Sequence, residues 1–141
     1  MGLVIDTSAW VAFERRSSED EARSLRSLGS ILSEPVVLPA IVLAEARVGG
    51  ALADTPKRAA ARKARIDALG AGIPTVDFGA EMAQEWATLF AVLTKKGRMI
   101  PSNDLAVAAT AIELGFGVLV GPADERHSKL VPRLRVVTLN L

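Results

Sequence analysis

Leu3-Val4-Ile5-Asp6-Thr7-Ser8 runs directly from an apolar segment into a carboxylate and two hydroxyls. A segment this short, aliphatic and free of polar residues reads as a strand buried on both faces, the habit of parallel sheets covered by helices. In an α/β protein the first strand usually lies in the middle of the sheet, and groups just past the carboxyl ends of strands face the crevice where ligands bind. Asp6 is therefore expected at the mouth of the fold. A lone carboxylate buried there loses much of its solvation or takes up a proton. A cation would remove that penalty, so the stretch points to a metal site as well as to a fold.

Short β-branched or aliphatic runs recur at Val36 to Leu38, Thr75 to Phe78, Val118 to Val120 and Arg135 to Leu139, with helical patterns between them. This alternation predicts an α/β fold with a central, mostly parallel sheet of about five strands. The clearest helix begins near Ala80, where Met82, Trp86, Leu89, Phe90 and Leu93 form one buried stripe. Lys95 and Lys96 complement its C-terminal dipole and Gly97 ends it. Another spans Asn103 to Leu114, with Leu105, Ala108, Ala109 and Ile112 on one face, Ser102 as N-cap and Gly115 as the stop. Earlier helices are expected over Thr7 to Phe13, Ser18 to Leu32 and Ala40 to Val48, the last closed by Gly49-Gly50. Between Asp54 and Gly70, Thr55-Pro56 opens a basic helix on which Arg58, Arg62 and Arg65 share a stripe. Trp10, Phe13, Trp86 and Phe90 follow helical spacing and read as core.

A chain of 141 residues is the size of one domain, taken here as residues 1–141, and large enough for a real core. Half of it is apolar but only 4% is aromatic, so that core is expected to consist of Ala, Val, Leu and Ile. The net charge of +1 excludes a polycation, and any nucleic-acid contact must come from local patches. The lack of cysteine excludes disulfides, zinc-thiolate sites and cysteine nucleophiles, and fits a reducing compartment. Asp6 and Glu14 interrupt any signal-peptide pattern, and no stretch approaches the ~18 to 20 apolar residues of a membrane span. A soluble, cytoplasmic protein without a membrane partner is expected.

Three later acids stand out. Glu45 lies in Pro39-Ala-Ile-Val-Leu-Ala-Glu-Ala-Arg-Val48, otherwise almost wholly apolar, and Arg47 points away from it on a helix. Asp104 opens the helix after Ile100-Pro101-Ser102-Asn103, where the helix dipole alone would justify an acid. Asp124 follows the strand at Val118 to Val120 and the turn Gly121-Pro122-Ala123, where capping would also account for it. Strand-end Asp6, mid-helix Glu45, helix-start Asp104 and post-strand Asp124 could, however, meet at one edge of a parallel sheet. Such carboxylates repel unless divalent cations neutralise them. Oxygen-only ligation selects Mg²⁺ or Mn²⁺, and a site of this kind suits phosphodiester hydrolysis.

Asp6-Thr7-Ser8 after an apolar strand, Leu43-Ala44-Glu45 in the helix after the second strand, Ile100-Pro101-Ser102-Asn103-Asp104-Leu105-Ala106-Val107-Ala108-Ala109-Thr110-Ala111, and Asp124 past the fourth strand resemble a PIN domain. The resemblance spans nearly the whole chain and is closest to the small PIN toxins of bacterial VapBC toxin-antitoxin pairs. It implies a three-layer α/β/α sandwich and a Mg²⁺- or Mn²⁺-dependent endoribonuclease whose acids, here Asp6, Glu45, Asp104 and Asp124, hold the metal. Ser8, with Thr7, matches the family's polar position beside the first Asp. Toxins of this kind cleave structured RNA such as tRNA or rRNA and halt translation; they usually dimerise, and a cognate VapB-like antitoxin usually occupies the groove.

The chain departs from the family pattern in two places. Where many relatives carry Thr at the end of the fourth strand and Phe shortly after the last acidic position, it has Gly121 and Ser128, which leaves Asp124 and Glu125 as rivals for the fourth acid, with Asp124 preferred. The Arg58, Arg62 and Arg65 stripe could contact RNA phosphates, although charged helix faces are more often simply solvated. His127, the only histidine, has no Ser or Cys motif beside it and is assigned no role. One competing function is a noncatalytic PIN-like module that binds RNA or protein, whose mark would be lost acids. Another is a phosphotransferase with Asp6 as nucleophile, but the second Asp such enzymes carry two residues on is here Ser8.

Overall fold

The computed structural model describes residues 1–16, 33–122 and 124–139. Its sheet has β1 (Leu3–Ile5) at the centre, β2 (Val36–Pro39) and β3 (Thr75–Val76) on one side, and β4 (Gly117–Val120) and β5 (Val136–Thr138) on the other. Every pairing is parallel, with Leu3 opposite both Val36 and Gly117, and Val118 opposite Val136. Leu3, Val4 and Ile5 are fully buried, as expected of a central strand covered on both faces.

Six helices lie among the described residues: α1 (Thr7–Arg16), α2 (Ala40–Ala51), α3 (Pro56–Leu69), α4 (Ala80–Lys95), α5 (Ser102–Leu114) and α6 (Glu125–Lys129). The chain steps outward from β1 to β3, then returns to the far side of β1 for β4 and β5. Right-handed crossovers in opposite directions place helices on both faces, giving the α/β/α sandwich. The order reverses between β1 and β4, and that pair is the switch point of the sheet. No helix among the described residues is long and apolar enough to cross a membrane.

All five strand runs form strands, with ends shifted by a residue or two. Thr55 caps α3 by accepting the Arg58 N–H at 3.1 Å, and Gly115 ends α5 in the left-handed region with φ 69°. α1 continues past Phe13 to Arg16. The helix expected over Ser18 to Leu32 lies outside the described residues. Ser102 is the first residue of α5 rather than its cap, because extended Pro101 holds the cap position and its carbonyl accepts the Leu105 N–H at 3.0 Å. Trp10 and Phe13 are core, but Phe90 is 40% exposed and stacks on half-buried Trp86 with ring centroids 5.2 Å apart. Leu89 and Leu93 take the buried stripe where α4 meets α5, which turns Phe90 outward.

The largest local departure is at Gly49-Gly50, which does not stop α2; the helix runs through both to Ala51. A Cβ on Gly49 would lie 2.9 Å from the guanidinium carbon of Arg62, so the glycine opens a lane for that side chain. Arg62 then reaches Glu14 on α1, Nε to Oε1 at 3.3 Å, and Arg65 donates to the Glu14 carbonyl. Arg58 is held by both oxygens of Asp54 at 2.8 Å. The basic stripe read from the sequence is thus engaged within the chain, and Arg62 and Arg65 clamp α3 onto α1.

Glu14 is only 6% exposed, and removing its partner leaves a buried charge unpaired. Because the Arg62 side chain is itself 39% exposed, Arg62→Met is expected to cost about 2 kcal/mol, below the range for a fully enclosed pair. Adding Glu14→Gln should recover most of that loss in urea unfolding. A single variant with a wild-type midpoint would show the pair to be idle.

Candidate active site

Asp6 follows β1 directly. Its N–H donates to the Leu119 carbonyl of β4 at 2.9 Å, and its own carbonyl accepts the Trp10 N–H at 3.0 Å, so it is the N-cap of α1. Its Oδ2 accepts the Ser8 N–H at 3.0 Å and the Ser8 hydroxyl at 2.5 Å. The Ser8 Oγ in turn accepts the Gly121 N–H at 2.9 Å. Capping accounts for Oδ2. It does not account for Oδ1, which takes no hydrogen bond among the described residues although Asp6 is only 4% exposed. The neighbouring Thr7 Oγ1 is buried without a hydrogen-bond partner.

The end of β4 presses on the first turn of α1. A Cβ at Gly121 would come within 2.7 Å of the Ser8 carbonyl oxygen, so a side chain at this position requires the turn to move. The Gly121 that the sequence places at the end of this strand therefore has a local reason: its backbone N–H, rather than a side chain, completes the contact with Ser8.

Asp104, in the first turn of α5, brings a second carboxylate to the same edge, and the Trp86 indole N–H braces that turn through the Ser102 carbonyl at 3.3 Å. Its carboxyl is pushed above the ordinary carboxylate value, first by burial and next by the charge of Asp6. The hydrogen bond and charge of His127 oppose the shift, while the charge of Asp124 adds to it. The charges of Asp6 and Asp124 thus both bear on Asp104 at the switch point. Asp124 stands at the N-cap position of α6 but makes no side-chain capping bond. Glu125 faces elsewhere: it accepts the Thr138 hydroxyl at 2.7 Å and pairs with Lys129 at 3.3 Å, and these partners hold its carboxyl below the usual range.

Glu45 is half-buried on α2 and has no hydrogen bond or ion pair among the described residues. The charges that act on Asp104 are those of Asp6, His127 and Asp124, not that of Glu45. His127, assigned no role from the sequence, has its Nδ1 3.1 Å from Asp104 Oδ2. No motif marks it, and only the folding of α6 against β4, β5 and α5 brings it to the site.

The donor set can be tested against a divalent cation. Among the described residues no three Asp, Glu or His side chains converge as a closed cage. Mg²⁺ does not need one, since it retains several waters and takes one or two carboxylates plus substrate phosphate. An Asp6 Oδ1 without a hydrogen bond among the described residues, beside a half-buried Asp104 that feels the Asp6 charge, fits that chemistry.

Comparison with known proteins gives a concordant result. The PIN domain family matches residues 3–131. The chain is 31% identical over 121 residues to Ribonuclease VapC5 of Mycobacterium tuberculosis, covering 86% of this chain and 83% of the relative. It is 30% identical over 141 residues to Ribonuclease VapC of Rickettsia bellii, covering 100% and 98%. Among solved structures, that of VapBC-5 from Mycobacterium tuberculosis, a member of the VapBC family of toxin-antitoxin systems, superposes with a TM-score of 0.70 at 27% identity, covering 99% of this chain and 98% of that one.

The raised Asp104 value carries a stability consequence. The folded state holds the Asp104 proton more tightly than the unfolded state, so at pH above the folded value ionised Asp104 weighs against folding. Asp104→Asn is therefore expected to raise the melting temperature of chelator-treated protein near neutral pH. The gain should shrink as pH falls through the folded value and vanish below 3.8, where wild-type Asp104 is protonated in both states. A variant less stable than wild type near neutrality would contradict this field of like charges.

Proposed function

The chain belongs to the PIN-domain family, alongside the VapC ribonucleases, and we propose that it is a Mg²⁺- or Mn²⁺-dependent endoribonuclease, the toxin of a toxin-antitoxin pair. The observation that supports this best is the convergence of the Asp6 and Asp124 charges on Asp104 at the β1/β4 switch point, where among the described residues His127 is the group that opposes them. Asp6, through Oδ1, and Asp104 are the residues that would hold the ion, with Asp124 beside them. A bound divalent cation there would supply activation of water and stabilisation of the leaving oxygen. Ser8 and the Gly121 N–H fix the opposite oxygen of Asp6, so its carboxylate does not have to reorganise during turnover. Glu45 is the remaining acid of the family pattern, and its lack of a partner among the described residues leaves it available to the ion or its waters.

The substrate class that follows is structured RNA, tRNA or rRNA, whose cleavage halts translation. The partner is a VapB-like antitoxin, supported by the likeness to a solved VapBC toxin-antitoxin system at 27% identity. A second copy of the chain is also a partner in this reading. Ile41, Phe78, Ala83, Trp86 and Ala106 line an apolar groove of about 360 Å³, flanked by exposed Phe90, that would suit self-association. The engagement of Arg58, Arg62 and Arg65 in internal contacts argues that RNA affinity draws on other cations.

Purified, antitoxin-free protein incubated with cellular RNA and Mg²⁺ or Mn²⁺ is expected to yield discrete cuts bearing 5′-phosphates, absent with chelator and absent from Asp6→Asn. Intact RNA with folded wild-type protein, or products ending in 2′,3′-cyclic phosphate, would overturn the assignment. Phe90→Glu should reduce the sedimentation coefficient if the groove joins two copies, and an unchanged value would remove that face from the interface.

A further inference from the structure

The only histidine of the chain, His127, stands with Nδ1 3.1 Å from Asp104 Oδ2, and both side chains are largely covered, at 24% and 23% exposure. An ionised carboxylate can only accept, so Nδ1 is the nitrogen that carries the proton in this contact. The placement of His127 is itself secured. Glu125, at the start of α6, accepts the Thr138 hydroxyl of β5 at 2.7 Å and pairs along the helix with Lys129 at 3.3 Å, tying α6 to the sheet edge.

Asp104 does not need His127 for helix capping, because an acid in the first turn is already favoured by the helix dipole. What it lacks is a reason to stay where it is. Asp6 and Asp124 both repel it, and an untethered side chain would relieve that repulsion by rotating toward solvent. The His127 contact opposes such a rotation. Asp6 is treated in the same way: one oxygen is occupied by Ser8, behind which stands the Gly121 N–H, and the other is left without a hydrogen bond. Gly121, behind the first anchor, and His127, the second, both lie between the end of β4 and the end of α6.

We propose that His127 is a positioning residue, which holds Oδ2 of Asp104 so that Oδ1 is presented, like Oδ1 of Asp6, to the divalent cation. The inference rests on the metal-dependent reading of the site above. Hydrogen-bond partners behind metal ligands typically contribute about 10- to 100-fold in metal affinity, which sets the size of the expected effect.

The test is calorimetric titration of Mn²⁺ into chelator-treated wild type, His127→Ala, His127→Phe, His127→Asn and Asp104→Asn, with RNA cleavage and melting temperature measured in parallel. His127→Phe keeps a ring in place and removes the donor, so it covers the case in which the alanine variant fails to fold. Both donor-free variants are expected to bind Mn²⁺ about 10-fold more weakly and to lose kcat with KM little changed. His127→Asn, whose amide nitrogen can stand near the Nδ1 position, should recover most of both. Wild-type Mn²⁺ affinity in the donor-free variants, or tighter binding once the imidazole is gone, overturns the proposal while leaving the metal site intact. Absence of Mn²⁺ binding by wild type, or wild-type affinity in Asp104→Asn, overturns the reading of the site and the role of His127 with it.

Discussion

Two carboxylates are buried among the described residues of this chain, and they are stabilised in opposite ways. Glu14, on α1, receives a cation from the protein: Arg62 crosses the backbone of Gly49 to reach it, and Arg65 takes up its carbonyl. Asp6, the N-cap of the same helix, receives among the described residues only neutral donors from Ser8, and its charge bears on Asp104. A buried anion is expensive unless it is paired or hydrogen-bonded on all sides. The fold provides full pairing where the acid is structural and withholds it at the sheet edge, where hydrogen bonds from Ser8 cover one oxygen of Asp6 and none among the described residues reaches the other.

That edge exists because of the strand order. With β1 central and the strand order reversing between β1 and β4, two carboxyl ends lie side by side with their following segments splayed to opposite faces. Asp6 leaves one end and Gly121 the other, and the Gly121 N–H to Ser8 bond draws the two segments together across the gap. Asp104 enters from α5, which packs on both strands. The site is therefore assembled from three distant parts of the chain on the most deeply buried part of the sheet, which favours preorganisation over mobility.

Much of this could be read in the sequence because it depends on local rules. Leu3 to Ile5 and Val118 to Val120 are apolar because the strands are covered on both faces, and acids stand where those runs end. Thr55-Pro56 and Gly115 are start and stop signals whose physics is contained within one turn. What escaped depends on contacts between elements distant in sequence. Gly49 looks like a terminator until Arg62, from the next helix, needs the space of its missing Cβ. Arg58, Arg62 and Arg65 look solvated until Asp54 and Glu14 are placed beside them. Phe90 satisfies the helical period yet faces outward, because period fixes an angular position and not which neighbour lies there. Asp124 and Glu125 are adjacent and chemically alike; only Thr138 and Lys129 separate them, by claiming Glu125.

Gly121 shows how the departures from the family pattern and the site are linked. Where the family pattern expected from the sequence has a hydroxyl, this chain has Gly121, and a Cβ there would strike the first turn of α1. Removing it lets the strand end approach until its N–H reaches the Ser8 hydroxyl directly. A backbone donor has less freedom than a side-chain hydroxyl, since its direction is set by the strand, and the Asp6 carboxylate at the end of the relay inherits that fixed direction. The geometry of the first acid is thus tied to the main chain of β4, so a disturbance of the strand end would be transmitted to Asp6 without any change in the acid itself.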